Sequence, residues 1–184
     1  GLLLGGVAIG GLKAFASGQL ASIDALAKTS RRLNLTTESL GAYQYAAGLS
    51  GLSTDTLTTA LEKMQDTIGA ASLGEAGPGA ALTALGLTPE QLGRSQRPLE
   101  LIQQSLRGIT DQNKKLALTR DIFGRGGAQV LNLYENNLAG LRKEYEKLGL
   151  AVSSEEAAQV EKFNDSLSVL SQRFGAFGRR ALID

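Results

Sequence analysis

A helix, a glycine turn and a second helix are indicated by Leu118-Thr119-Arg120-Asp121-Ile122-Phe123-Gly124-Arg125-Gly126-Gly127-Ala128-Gln129-Val130-Leu131. Gly124 stands just past an apolar-periodic run, where glycine supplies the left-handed backbone that closes a helix. The Gly126-Gly127 pair leaves the chain free to turn before Ala128 begins the next helix. Such a turn can also hold phosphate, but no strand precedes it and no Gly-Lys-Ser/Thr ending follows. We therefore interpret it as a joint between helices.

One helix-start pattern occurs four times: an apolar residue, a hydroxyl residue that can cap, and an acid in the first turn. Its occurrences are Leu35-Thr36-Thr37-Glu38, Leu52-Ser53-Thr54-Asp55, Leu87-Thr88-Pro89-Glu90 and Val152-Ser153-Ser154-Glu155. Thr88 with Gln91, and Ser153 with Glu156, have capping-box spacing. These hydroxyls next to acids are therefore interpreted as helix caps and not as activated nucleophiles.

Apolar residues at steps of three and four predict the helices between these starts. The expected elements are a helix over Leu12–Leu33, one over Ser53–Ser72 through Leu57, Leu61, Met64 and Ile68, a short one through Leu82 and Leu85, one through Leu99, Ile102 and Leu106, one capped by Asp111 that leads into the joint, and one through Leu138, Leu141, Tyr145 and Leu148 that Gly149 closes. No strand-like alternation exceeds the helical signal. The predicted fold is all-α, with amphipathic helices joined by glycine-containing turns.

The last part of the chain has a heptad pattern. Its a and d positions are Val160, Phe163, Leu167, Leu170, Phe174 and Phe177. One helix cannot bury such a seam alone, so it needs partners from this chain or from identical copies. We expect three parts: an apolar, glycine-rich segment with the first helix (1–33), a helical module with a flexible break near 74–79 (34–150), and a long coiled-coil-like helix (151–184) that continues in a longer chain.

Composition narrows the possible functions. The 184 residues are enough for one or two domains, and 42% of them are hydrophobic, although only 5% are aromatic. Glycine accounts for 23 of the 184 residues, which is well above the usual share of about 7%. We interpret these glycines as breaks between helices. The absence of Cys and His excludes disulfides, a thiolate nucleophile, an ordinary zinc site and histidine acid-base catalysis.

Charge gives no general reason to bind nucleic acid or an anionic membrane, because the formal net charge is only +1. Basic pairs occur at Arg31-Arg32, Lys114-Lys115 and Arg179-Arg180. Such pairs are mostly solvated helix faces, and phosphate contact is the alternative interpretation.

Residues Gly1–Gly11 are apolar, uncharged and too short to span a bilayer alone, since a spanning helix needs about 20 residues. They fit either the end of a membrane-active segment or a packed helix start made of small residues.

Paired carboxylates can form a glycosidase site, which needs two acids on either side of a sugar. Glu155, Glu156, Asp24 and Glu38 are available, but Glu155 and Glu156 lie in the opening turn of a helix and the others have no cleft signature. We predict no enzyme activity and no catalytic, cofactor-binding or metal-binding residue.

The joint also carries a resemblance. Its Asp-x-Phe-Gly-Arg-x-Gly-Ala segment, with Tyr43-Gln44-Tyr45-Ala46-Ala47 upstream and Lys147-Leu148-Gly149-Leu150 downstream, resembles phage tail tape measure proteins. The similarity runs from about Ile23 to about Phe177, with the landmarks in the order of that family.

The resemblance implies a structural protein of the virion that occupies the tail lumen, sets tube length and scaffolds tail assembly. It further implies a parallel homo-oligomer, expected to be a trimer, that contacts the tail tube protein, tail-tip or baseplate hub proteins and assembly chaperones. Such proteins assemble in the bacterial cytoplasm and are ejected ahead of the DNA, with the host membrane as a further contact. A membrane-active helical module that helps DNA cross the envelope is the alternative function.

Overall fold

The chain divides into two compact units, and the described residues of both include helices. The computed structural model describes residues 22–135, 138–162 and 165–166. One unit comprises Gly1–Thr29 and Val152–Asp184, and the other is Ser30–Ala151, called the 30–151 unit below. Every regular element in the described ranges is helical, so the predicted all-α class is confirmed.

The helices are short, and α3 with 19 residues is the longest of those with defined ends. They are α1 (22–32), α2 (Thr37–Leu49), α3 (Thr54–Ser72), α4 (Ala76–Ala84), α5 (Pro89–Arg94), α6 (Pro98–Arg107), α7 (Gln112–Phe123), a 3₁₀ turn (Gly124–Gly126), α8 (Gly127–Glu135), α9 (Leu138–Lys147) and α10 (154–162).

Local capping starts several of these helices where the sequence predicts it. The hydroxyls of Thr36, Ser53 and Thr88 each accept a hydrogen bond from the backbone N–H three residues later. Gln91 completes a capping box with Thr88, and the Asp111 carboxylate accepts two N–H groups at the start of α7. These bonds satisfy N–H groups that have no partner inside the helix.

Helix α3 is the centre of the 30–151 unit. Its residues Leu57, Leu61, Met64 and Ile68 are all buried, as their spacing predicts. The helix contacts α2, α4, α5, α7, the 3₁₀ turn and α8. Burying one such side chain contributes about 1.5–3 kcal/mol, so this face of α3 supplies much of the packing free energy.

The glycine joint folds back onto α3. Gly124 has a φ of 69° and a ψ of −152°, so the expected positive φ is present but the ψ is not that of a left-handed helix. After the 3₁₀ turn, α8 begins at Gly127, where a Cβ atom would lie 2.6 Å from the Thr119 carbonyl oxygen. Glycine therefore lets the start of α8 pack directly on the backbone of α7.

The break that the sequence predicts near 74–79 is shorter in the structure. Gly74 turns with a φ of 85°, and α4 already begins at Ala76, so Gly77, Pro78 and Gly79 are helical. A proline in the first turn loses no helical hydrogen bond, since N–H groups there have no intrahelical partner. Burial of Leu82 against the unit offsets the poor helix propensity of these residues.

Several expectations fall on residues outside the described ranges. They include the apolar segment Gly1–Gly11, residues 12–21 of the helix predicted over Leu12–Leu33, and most of the heptad seam, namely Phe163, Leu167, Leu170, Phe174 and Phe177. Val160 lies in α10.

Within the same unit, Lys28 bonds Asp24 at 2.8 Å, and this bond, with the charges of Asp24, Glu161 and Asp165, raises the pKa of Lys28.

Replacing Gly127 with alanine tests the close approach at the joint. The new Cβ would meet the carbonyl oxygen and carbon of Thr119, and backbone atoms cannot rotate away. We expect a loss of about 1–3 kcal/mol in the free energy of unfolding, measured by urea denaturation followed by circular dichroism.

Gly69→Ala is the matched control, because Gly69 lies inside α3. Apart from its chain neighbours and the nearby backbone of α3 itself, no atom lies within 4 Å of its Cβ position. We expect a gain of about 0.5–1 kcal/mol there from helix propensity. Equal effects of the two substitutions would contradict the close packing of α7 and α8.

Candidate functional site

A polar groove of about 590 Å³ lies in the 30–151 unit beside α6. Side chains from the turn before α6, from α6 itself and from α9 line it: Ser95, Gln96, Arg97, Glu100, Leu101, Gln103, Gln104, Arg107 and Ala139. This volume lies within the range of about 300–1,000 Å³ that is usual for ligand sites.

Local sequence explains how α6 presents this surface. Helix α5 ends at Arg94, the Arg97 N–H donates to the Ser95 hydroxyl at 3.0 Å, and Pro98 opens α6. One face of α6 buries Leu99, Ile102 and Leu106. Groove residues follow at steps of three and four on a polar face: Arg97, Glu100, Gln104 and Arg107.

An ion pair holds Glu100, which is the one carboxylate among the lining residues that the structure describes. The Arg142 Nε atom of α9 donates to Glu100 Oε1 at 3.1 Å, and the side chains are only 13% and 16% exposed. Arg142 also bonds Glu146 one turn further along α9. The pair joins α6 to α9 and compensates the negative charge of Glu100 next to the groove.

Tyr43 of α2 is fully buried near these charges. Its hydroxyl has no hydrogen-bond partner in the described part of the chain. Burial raises the pKa of Tyr43 strongly, the charge of Glu100 raises it further, and Arg97 and Arg142 oppose the shift. Tyr43 therefore stays protonated across the physiological range, and its phenol can donate a hydrogen bond.

A second contact closes α2 against α9. The rings of Tyr45 and Tyr145 lie 5.6 Å apart at 42°, and the Tyr45 hydroxyl donates to Glu144 at 3.2 Å. Burial is the first cause of the raised pKa of Tyr145, followed by the charge of Glu38. A Cβ at Gly41 would overlap the Tyr145 hydroxyl, so glycine makes room for this ring.

The four acids that the sequence offers for a glycosidase site lie in helix starts or pair with neighbours along the chain. Asp24 pairs with Lys28, Glu38 accepts a hydrogen bond from the Thr37 hydroxyl, and Glu156 forms the predicted capping box with Ser153. Glu155 is in the first turn of α10. Among the described residues, no group of three or more His, Cys, Asp or Glu side chains is placed to hold a metal ion.

The basic pairs differ in their surroundings. Arg32 pairs with Glu62 of α3 at 3.0 Å, with side chains 60% and 41% exposed. Lys114 lies exposed in the first turn of α7, next to the half-buried Lys115. Arg179-Arg180 lies outside the described residues.

The groove was not predicted from the sequence. Its α6 face has a readable signal, because Arg97, Glu100, Gln104 and Arg107 recur at helical spacing opposite the apolar residues. The contribution of α9 has none, since Glu100 and Arg142 are 42 positions apart.

Comparison of the chain with protein-family models, curated proteins and solved structures finds no match. No helix in the described ranges has the length and apolar content that crossing a membrane requires.

Replacing Arg142 with methionine tests the α6–α9 ion pair. Glu100 would keep its charge while largely buried and would lose its cation. We expect a loss of about 1–3 kcal/mol in the free energy of unfolding, which lies between the values for exposed and fully buried pairs.

Arg32→Met is the control, because it removes the same side chain from the exposed pair with Glu62. It should cost less than about 1 kcal/mol under the same urea denaturation. Similar losses from both variants would show that the pair with Glu100 has no special structural role.

Proposed function

We propose that this chain is part of a phage tail tape measure protein, a structural protein that sets tail tube length, scaffolds tail assembly and is ejected during genome delivery. The observation that carries the proposal is the ordered set of landmarks around the glycine joint. The all-helical structure of the described residues supports it. A protein that sets a length and associates with identical copies is expected to consist mainly of helices, which have a fixed rise per residue and can form coiled coils.

Two of the three landmarks pack inside the 30–151 unit, whereas Leu148 and Leu150 of the third are exposed. Helix α2, with Tyr43 and Tyr45, packs against α9, which ends at Lys147, although Tyr45 and Glu144 are 99 positions apart. The joint packs against α3 through Gly124 and Gly126. The upstream landmark and the joint therefore have structural roles, which supports a shared helical module over a chance match of short motifs.

The proposed architecture is a set of amphipathic helices joined by glycine-containing turns and followed by a long heptad-patterned helix over 151–184. Positive φ angles at Gly51, Gly74, Gly86 and Gly149, each just past a helix, support the turns. The apolar seam that begins at Val160 would associate identical copies in parallel as a trimer.

Within such a protein, the 30–151 unit is proposed to act as a folded module and not as measuring tape. A single helix over 53–148 would span roughly 140 Å at about 1.5 Å per residue. Helix α3, the longest helix of the unit whose two ends are both described, has 19 residues and spans about 28 Å. Its partners would be the tail tube protein, the tail-tip or baseplate hub and the assembly chaperones, and its location the tail lumen of the virion.

In-frame deletion of Ser53–Leu148 from the phage gene that encodes the chain tests this function. We expect tails of nearly unchanged length and a loss of infectivity, measured by electron microscopy and plaque counts. Deleting the whole gene should abolish tails of uniform length, because no tape remains.

Gly127→Ala in the phage is the matched control, because it weakens the module while keeping every residue. It should leave tail length unchanged and lower infectivity. Tails that are shorter by about 140 Å after the deletion would make the segment extended tape and would contradict the folded module. Uniform tails without the gene would contradict the tape measure function itself.

A further inference from the structure

We propose that the groove beside α6 binds an acidic peptide segment of a partner protein. The inference goes beyond the proposed function and does not depend on it, because only groove residues carry it. A short chain with carboxylate side chains, held by guanidinium and amide donors, is the ligand that best fits the lining.

Charge is the first reason. Arg97 and Arg107 stand ten residues apart along α6 and both face the groove. Among the lining residues that the structure describes, Glu100 is the one carboxylate, and it is paired with Arg142. These described residues therefore carry more positive than negative charge, although the whole chain carries only +1. Guanidinium groups bind carboxylates through paired, charge-assisted hydrogen bonds.

Arg97 is the better placed of the two cations. Its side chain makes no hydrogen bond or ion pair within the part of the chain that the structure describes. It is also the residue just before α6 and provides no side-chain cap. The positive end of the helix therefore adds to the charge of Arg97 at this end of the groove.

The neutral lining suits a peptide. The exposed Gln104 and the half-buried Ser95 contribute an amide and a hydroxyl to the lining. Amide groups can donate to and accept from a peptide backbone. Leu101 and Ala139 provide an apolar surface for the aliphatic part of a glutamate side chain.

Nucleic acid fits the groove less well. Binding to a phosphate backbone usually needs many cations, and this lining offers two guanidinium groups. None of the lining residues that the structure describes is aromatic, so these residues offer no ring on which a base can stack. A short acidic segment requires only the donors that are present.

Nuclear magnetic resonance titration of the ¹⁵N-labelled full chain tests the proposal, with acetyl-Glu-Glu-Glu-amide as the probe and acetyl-Gln-Gln-Gln-amide as the uncharged comparison. We expect saturable shifts of the backbone amides between Arg97 and Arg107 with the acidic peptide alone. Arg97→Gln should weaken the affinity by about tenfold or more, since a charged hydrogen bond is lost. Higher salt should weaken it further.

Arg97 is exposed, so its replacement should leave folding intact, and one further variant tests whether any loss of positive charge has the same effect. Lys114→Gln makes the same charge change as Arg97→Gln at an exposed position of α7, outside the groove, and should leave the affinity unchanged.

Four results would overturn the proposal. They are the absence of saturable shifts with the acidic peptide, equal binding of the uncharged peptide, equal weakening by Lys114→Gln and Arg97→Gln, and tighter binding of a single-stranded oligonucleotide at the groove. None of them bears on tail length, so this test and the gene deletion succeed or fail separately.

Discussion

The 30–151 unit depends on burying one face of α3. Leu57, Leu61, Met64 and Ile68 form a stripe that no single neighbour covers, and several helices and the 3₁₀ turn share the task. Most of those neighbours are too short to be stable alone in water, because helices below about 12–15 residues are marginal. The short helices are therefore stable because their apolar sides are buried against α3. The apolar face of α3 is in turn buried only when these helices are folded.

A second layer of interactions is polar and closes the unit away from α3. Helix α2 meets α9 through Tyr45 and Tyr145, and α6 meets α9 through Glu100 and Arg142. Such pairs contribute less net free energy than apolar burial, but breaking one is costly and their geometry is specific. They fix which surface of α6 remains open, and this surface is the groove. The same ion pair that orders the fold thus sets the charge of the candidate site.

Sequence predicts those features of the unit whose physical cause is local. Capping at Thr88 or Asp111 involves residues two or three positions apart, and the α3 stripe follows from helical period. Contacts between distant segments leave no such trace, so the pairing of Glu100 with Arg142 was not predicted. At residues 74–79, Gly and Pro favour a loop, but burial of Leu82 outweighs that preference. The part of the groove that α6 contributes does have a sequence signal, because Arg97, Glu100, Gln104 and Arg107 recur at helical spacing.

Native-state hydrogen exchange of the full chain, followed by mass spectrometry, tests most directly whether residues 30–151 form one cooperative module. If the helices depend on each other as described, the slowest amides of α2, α3, α7 and α9 will exchange through one common opening with a single free energy. Rapid exchange throughout α9, while α3 stays protected, would contradict this. It would show a string of independent helices, which is what an extended tape requires.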